Sequence, residues 1–132
     1  MTEAWIVDAC RTPRGIGRLG KGALADMHPQ HLAASVLKAV AERNELSTSD
    51  VDDVIWGTST QVGKQGRDIA RMALLDAGYD TRASGVTIDR FCGSGITSVN
   101  LAASTVMSGM TDLVIAGGVE MMSYTASIAD PK

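Results

Sequence analysis

An α/β domain with a mainly parallel sheet is the fold class the sequence predicts. Short apolar runs bounded by turn residues alternate with longer segments of helical periodicity. Their order is strand, helix, strand, helix, strand, helix, strand, and each parallel pair needs a crossover of that kind. The 132 residues are 45% hydrophobic and 20% charged, which suits one domain with a real core rather than a disordered chain.

Ile6-Val7-Asp8-Ala9-Cys10, bounded by Arg11-Thr12-Pro13, reads as the opening strand. A Gly-rich basic loop follows from Arg14 to Gly22. Pro29 suits the first turn of a helix, whose apolar face is Leu32, Ala33, Val36, Leu37 and Val40 and whose stop is Asn44. Ser47-Thr48-Ser49-Asp50 has capping-box spacing and predicts a single turn. Val54–Gly57 is the next strand, and Gln61 to Gly66 is loop. A second helix is expected from about Arg67 to Ala77, closed by Gly78, and a third strand over Gly85–Asp89. The third helix is expected from about Cys92 to Ser108, closed by Gly109, before a last strand at Leu113–Ala116.

The stretch from Phe91 to Thr111 carries no charge, yet about half of it is small or polar, so a membrane span is not expected. A helix speckled with small residues on all sides is expected to be covered on both. Its far face therefore calls for a second domain or another subunit.

A net charge of −3 does not favour nucleic acid or an anionic membrane as partner. Two cysteines make no disulfide framework, which suits a reducing cytoplasm, and the start from Met1 shows no secretory pattern.

Cys92 holds the most informative position. It stands where a strand hands over to a helix and is followed by Gly93-Ser94-Gly95. Unpaired N–H groups and the positive dipole end at a helix start favour thiolate over thiol, and glycines let a bulky substrate approach. A small buried hydrophobe is the competing reading.

Asp89-Arg90-Phe91-Cys92-Gly93-Ser94-Gly95 resembles the nucleophile signature of thiolases. Ile6 to Pro13 is similar to that family's opening strand and Arg-Thr-Pro turn. Asp53-Val54-Ile55-Trp56-Gly57 and Ala70-Arg71-Met72-Ala73 resemble its second strand and second helix. Gly117-Gly118-Val119-Glu120-Met121-Met122-Ser123 resembles its Gly-Gly-x-Glu-x-Met-Ser block. The matches are collinear across essentially the whole chain.

The resemblance implies an acyl-CoA C-acyltransferase that forms or cleaves a 3-ketoacyl-CoA through an acyl-cysteine on Cys92. Gly93 and Ser94 are the expected substrate-binding neighbours. Acyl-CoA and CoA are then substrates, with no cofactor or metal required, and a homodimer or tetramer pairing around the third strand is expected. The implied fold is the N-terminal half of a thiolase, a mixed sheet in spatial order 3-2-1-4-5 whose fifth strand lies outside these residues. Residues 1–132 would be a truncated N-terminal domain, without the family's loop domain and C-terminal half.

The Gly-His-Pro histidine, Asn-x-x-Gly-Gly block and second cysteine that the family uses beside the nucleophile are not among these residues. No measurable thiolysis of acetoacetyl-CoA by the chain alone is therefore expected. A non-catalytic piece keeping only fold and dimer surface, and a related ketoacyl synthase, are the competing functions. The family most often has Asn where this chain has Asp89.

Gly15-Ile16-Gly17-Arg18-Leu19-Gly20 fits a dinucleotide pattern, but a helix would have to start inside it, and the next helix waits for Pro29. Arg11, Arg14, Arg18 and Lys21 are expected to be solvated, and His28 and His31 lack a third ligand. Cys10 is expected in the core, Glu120 in a hydrogen-bonding role, and Met107, Met110, Met121 and Met122 at an interface.

Overall fold

A computed structural model describes residues 3–129, so Met1, Thr2 and the last three residues lie outside it. The helices are α1 (Pro29–Arg43), α2 (Ile69–Asp76), α3 (Ser94–Met107) and α4 (Met122–Ala129). The strands are β1 (Asp53–Gly57), β2 (Ser84–Ile88) and β3 (Val114–Gly118), with single 3-10 turns at Thr48–Asp50 and Gly63–Gln65.

Local chemistry sets the helix ends. Pro29 occupies the first turn of α1, and His28 caps it by accepting the Gln30 N–H at Nδ1, 3.2 Å. Asn44 closes the helix by donating to the Val40 carbonyl at 2.9 Å. Asp68 caps α2, accepting from Arg71 N at 3.3 Å, and Thr87 of β2 donates to the same oxygen at 2.7 Å. The turn at Thr48–Asp50 forms as expected, but without the capping-box bond: the Ser47 hydroxyl lies 2.8 Å from that of Ser49 instead.

The sheet is parallel throughout, in the order β2-β1-β3. Moving outward one way through α2 and back the other through α3 places the helices on opposite faces, given right-handed crossovers. Along β1 the side chains alternate accordingly. Val54 and Trp56 join Leu37, Ile69, Ala70, Ala73, Leu74 and Tyr79 in one core, which α1 and α2 cover. The residues between them face α3. Tyr79, buried in that core, donates its hydroxyl to the Leu37 carbonyl at 2.8 Å, and burial pushes its pKa up to about 12, with Cys10 a lesser cause.

The α/β class and the parallel sheet are as the sequence predicts, but the opening strand is not in the sheet. Among the described residues Ile6–Cys10 has no ladder partner, and Trp5, Ile6 and Val7 are about four-fifths exposed. The place expected for it, between β1 and the strand at 114–118, is closed by a direct five-residue pairing of β1 with β3. Two contacts account for this. Gly117 lies so close to the Trp56 ring that a Cβ there would come within 2.4 Å of it, so the two strands meet without an intervening one. Asp8, at the middle of the run, is drawn instead to the end of α1, accepting from Asn44 Nδ2 at 2.8 Å and Arg43 Nη2 at 3.1 Å. Between this segment, α1, α3 and β3 lies a cleft of about 1750 Å³.

Asp52 fixes the register of β3. Its carboxylate accepts the N–H groups of Asp112 at 2.7 Å and Leu113 at 3.1 Å, and these bonds hold its carboxyl below the usual carboxylate range. A depressed folded value contributes stability above the unfolded pKa of about 3.9, which is lost as pH falls through the folded value. Asp52→Asn is therefore expected to lower Tm at neutral pH, and the gap from the unaltered chain should narrow as pH falls below the unfolded value of about 3.9. Thermal melts across that range check it; a gap that widens in acid would contradict the assignment.

One face of α3 is packed, through Ser94, Ser98 and Ala102 at four-residue spacing. The other is open: Ile96 is 71% exposed, and Val99, Leu101 and Met107 are also exposed. The two-sided cover expected from its composition is not supplied by the described residues. Met110 and Met122 are exposed as well, whereas Met121 is buried. Among the described residues no helix is long and apolar enough to cross a membrane.

Candidate active site

The site is the turn between β2 and α3. β2 ends at Ile88, and after five intervening residues the chain is helical from Ser94. Helix α3 begins at Ser94 with Gly93 as N-cap, so Cys92 stands just outside the helix rather than as its first residue. Its side chain is exposed, and among the described residues no group hydrogen-bonds to its sulfur. Among the described residues no side chain caps α3, in contrast to α1 and α2; its Ser94 N–H is taken by the Phe91 carbonyl, and the Gly95 and Ile96 N–H groups are left for negative charge that approaches.

The turn is held by a small set of bonds. Phe91 has φ +47°, a left-handed conformation that costs an ordinary residue on the order of 1–2 kcal/mol. Asp89 Oδ1 accepts the Phe91 N–H at 2.8 Å, spanning two residues as short polar side chains do in turns. Ser94 closes the other side: its hydroxyl accepts the Arg90 N–H at 2.8 Å and donates to the Phe91 carbonyl at 2.7 Å. That carbonyl also accepts the Ser94 N–H at 3.1 Å, and the Arg90 carbonyl accepts the Gly93 N–H at 3.0 Å. Asp89 thus makes a bond that the carbonyl oxygen of an asparagine could also make.

The turn is also pressed against the sheet. A Cβ on Gly57, at the C-terminal end of β1, would lie 2.7 Å from the Ser94 carbonyl carbon. One turn further, the Ser98 hydroxyl is fully buried and donates to the Gly95 and Gly117 carbonyls at 2.7 and 2.9 Å. Cys92 is consequently set outside the carboxyl ends of parallel strands, where open α/β sheets bind ligands.

The three residues singled out by sequence share this turn but differ in what they present. Cys92 is exposed and Gly93 half-buried, whereas the Ser94 side chain is buried and its hydroxyl faces the turn. None of the three lines the large cleft, which Cys10 does. Cys10 is half-buried rather than in the core, its thiol 3.6 Å from the Val36 carbonyl. The helix after the glycine-rich loop begins only at Pro29, and Arg11, Arg14, Arg18 and Lys21 are exposed. His28 caps α1, and His31 Nδ1 lies 2.5 Å from Asp76 Oδ2.

Glu120 has the hydrogen-bonding role expected of it. Its carboxylate accepts from Ser59 N at 2.8 Å, Thr60 N at 3.4 Å and Gln65 Nε2 at 3.0 Å. Sequence reasoning missed its partner Gln65, which is fully buried in a segment read as loop. Gln65 also donates to the Thr60 carbonyl at 3.0 Å and accepts the Met121 N–H at 2.6 Å. The bonds bind the loop after β1 to the segment after β3, and no local pattern near Gln65 announces partners 55 residues away.

A family model described as thiolase, N-terminal domain, matches residues 4–131. The chain belongs to the thiolase family. It is 43% identical over 123 residues to a steroid 3-ketoacyl-CoA thiolase of Mycobacterium tuberculosis, covering 93% of this chain and 30% of that protein. It is 48% identical over 124 residues to a 3-oxoadipyl-CoA/3-oxo-5,6-dehydrosuberyl-CoA thiolase of Escherichia coli, with the same coverage. The crystal structure of the Bacillus anthracis acetyl-CoA acetyltransferase superposes with a TM-score of 0.74 at 38% identity, over 81% of this chain and 27% of that one. This thiolase chain therefore spans about 30% of the length of the curated relatives it matches. The structural neighbour supports the thiolase-like α/β fold class, while the direct β1–β3 pairing departs from the strand order the family resemblance implied.

Proposed function

We propose that this chain supplies the acyl-accepting nucleophile of a thiolase, Cys92, and that its substrates are acyl-CoA and CoA. The observation that carries the reading is the presentation of Cys92: an exposed sulfur on a hydrogen-bonded turn, outside the carboxyl ends of parallel strands, directly before an uncapped helix. In the first half-reaction the Cys92 thiolate attacks the thioester carbonyl carbon of an acyl-CoA. A carbon–sulfur bond to Cys92 forms, the bond to the CoA sulfur breaks, and CoA leaves as its thiolate. In the synthetic direction a second acyl-CoA then loses its α-proton to a base and attacks the acyl-cysteine carbonyl through its α-carbon, so that a carbon–carbon bond forms, the bond to Cys92 breaks and the Cys92 thiolate is released. In the degradative direction the Cys92 thiolate instead attacks the 3-keto carbon of a 3-ketoacyl-CoA, the C2–C3 bond breaks, the released enolate is protonated to an acyl-CoA, and a CoA thiolate takes the acyl group from Cys92. Splitting the transfer through a covalent intermediate replaces one difficult step by two easier ones. The Gly95 and Ile96 N–H groups of α3, which no side chain caps among the described residues, are suited to negative charge that develops beside Cys92.

The open face of α3 is the surface on which the rest of a thiolase would pack, and the outer edge of β2 is unpaired among the described residues. Pairing of two copies around β2, as a homodimer or within a tetramer, belongs to the same reading.

Alkylation tests it. At pH 7 iodoacetamide is expected to label Cys92 faster than half-buried Cys10, and preincubation with acetyl-CoA is expected to protect Cys92 alone. Labelling of Cys92 that acetyl-CoA leaves unchanged would count against an acyl-accepting role.

A further inference from the structure

We propose that Asp89 and Ser94 are a pair of positioning residues that hold Phe91 in its left-handed conformation and so set the direction in which Cys92 is presented. The inference rests on the reading of Cys92 as the acyl acceptor and adds how its geometry is maintained. Phe91 is the residue immediately before the nucleophile, its φ is +47°, and its ring is 78% exposed, so packing of the ring does not pay for the conformation. What opposes relaxation is hydrogen bonding to its backbone from both sides: Asp89 Oδ1 on its N–H and the Ser94 hydroxyl on its carbonyl. Unusual backbone conformations persist where the surroundings over-determine them. Ser94 is itself immobilised, because it is buried and Gly57 leaves no room behind its backbone. The serine expected to touch substrate is thus assigned a different task, acting on Cys92 through the backbone of the turn.

The two residues need different things to do this. Asp89 needs only an acceptor atom at Oδ1, so its charge is dispensable and asparagine should serve. Ser94 needs a hydroxyl that both accepts and donates, which alanine cannot replace. A glycine at 91 adopts positive φ without penalty and should make the clamp redundant.

The test uses the full chain and two rates at Cys92, acetylation by acetyl-CoA and alkylation by iodoacetamide, each read by peptide mass, with Tm as a check on folding. Asp89→Ala, which removes one bond, is expected to slow acetylation about three- to tenfold, the worth of one net hydrogen bond, and Ser94→Ala, which removes two, at least as much. Alkylation by the small reagent should change far less. Asp89→Asn should acetylate at the unaltered rate, and Phe91→Gly combined with Ser94→Ala should recover most of the Ser94→Ala loss. Equal slowing of both reactions, failure of Asp89→Asn to substitute, or no recovery with Phe91→Gly would overturn the positioning role while leaving Cys92 as acceptor. Absence of acetylation in the unaltered chain would instead overturn the acyl-accepting reading and this inference with it.

Discussion

Cys92→Ser is expected to reduce acyl transfer from acetyl-CoA to the chain by roughly a thousandfold or more. The substitution keeps the shape of the side chain and all the hydrogen bonds of the turn, which run through Asp89, Arg90, Phe91, Gly93 and Ser94 rather than through position 92. Folding should therefore be untouched, and the loss would be one of chemistry. A thiol is partly ionised near neutral pH and intrinsically nucleophilic, whereas a serine hydroxyl needs a general base to remove its proton. Among the described residues none hydrogen-bonds to the side chain at 92. Cys10→Ser is the control and should leave acylation unchanged, since that thiol is half-buried against the Val36 carbonyl. Quantifying acyl-enzyme by intact mass in the two variants separates them. Retained acylation in Cys92→Ser would place the acceptor elsewhere.

The second large effect is on stability. Gly57→Ala is expected to cost about 1–3 kcal/mol, the usual penalty for forcing an extra carbon into a packed site. The added Cβ would come within 2.7 Å of the Ser94 carbonyl carbon and 2.9 Å of its oxygen and Cβ. These are backbone and near-backbone atoms at the root of α3, so no flexible side-chain end can swing aside. The helix start must move away from the end of β1, carrying the Cys92 turn with it. A fall in Tm of several degrees is expected, together with slower acetylation of Cys92. Gly95→Ala is the matched comparison: a Cβ there meets nothing within 4 Å, and alanine is favoured over glycine inside a helix by roughly 0.5–1 kcal/mol. It should be neutral or stabilising. If the two substitutions melt alike, the close approach of α3 to β1 does not set the site.

What was legible in the sequence divides along physical lines. The helices α1, α2 and α3 were visible because each buries one face and so leaves a period in the chain, and the strands β1 to β3 because each is a short apolar run bounded by turn residues, β1 being buried on both faces. Cys92 was legible because strand, turn and helix signals meet at one residue. The Asp89 turn could have been read, since an Asp two residues before an N–H it can accept is a local pattern. Ile6–Cys10 was misread because an apolar run reports what a segment could pair with, not whether a neighbour leaves a place for it. Here β3 fills that place, and Asp8 is bonded elsewhere. The Gln65–Glu120 bond was invisible for another reason. It joins two loops through buried polar atoms, and such partnerships are set by tertiary approach rather than by spacing. Ser94 lies between these cases: its place in the turn beside Cys92 is given by the chain order, but the direction of its hydroxyl depends on how the chain turns at Phe91.

The most direct measurement of the central claim is the site of acylation. The chain is mixed with acetyl-CoA, quenched in acid to preserve thioesters, digested at low pH and mapped by peptide mass. A single hydroxylamine-labile acetyl group is expected on the peptide carrying Cys92, absent in Cys92→Ser and present in Cys10→Ser. An acetyl group on Cys10, or none on Cys92 while the chain remains folded, would contradict that claim.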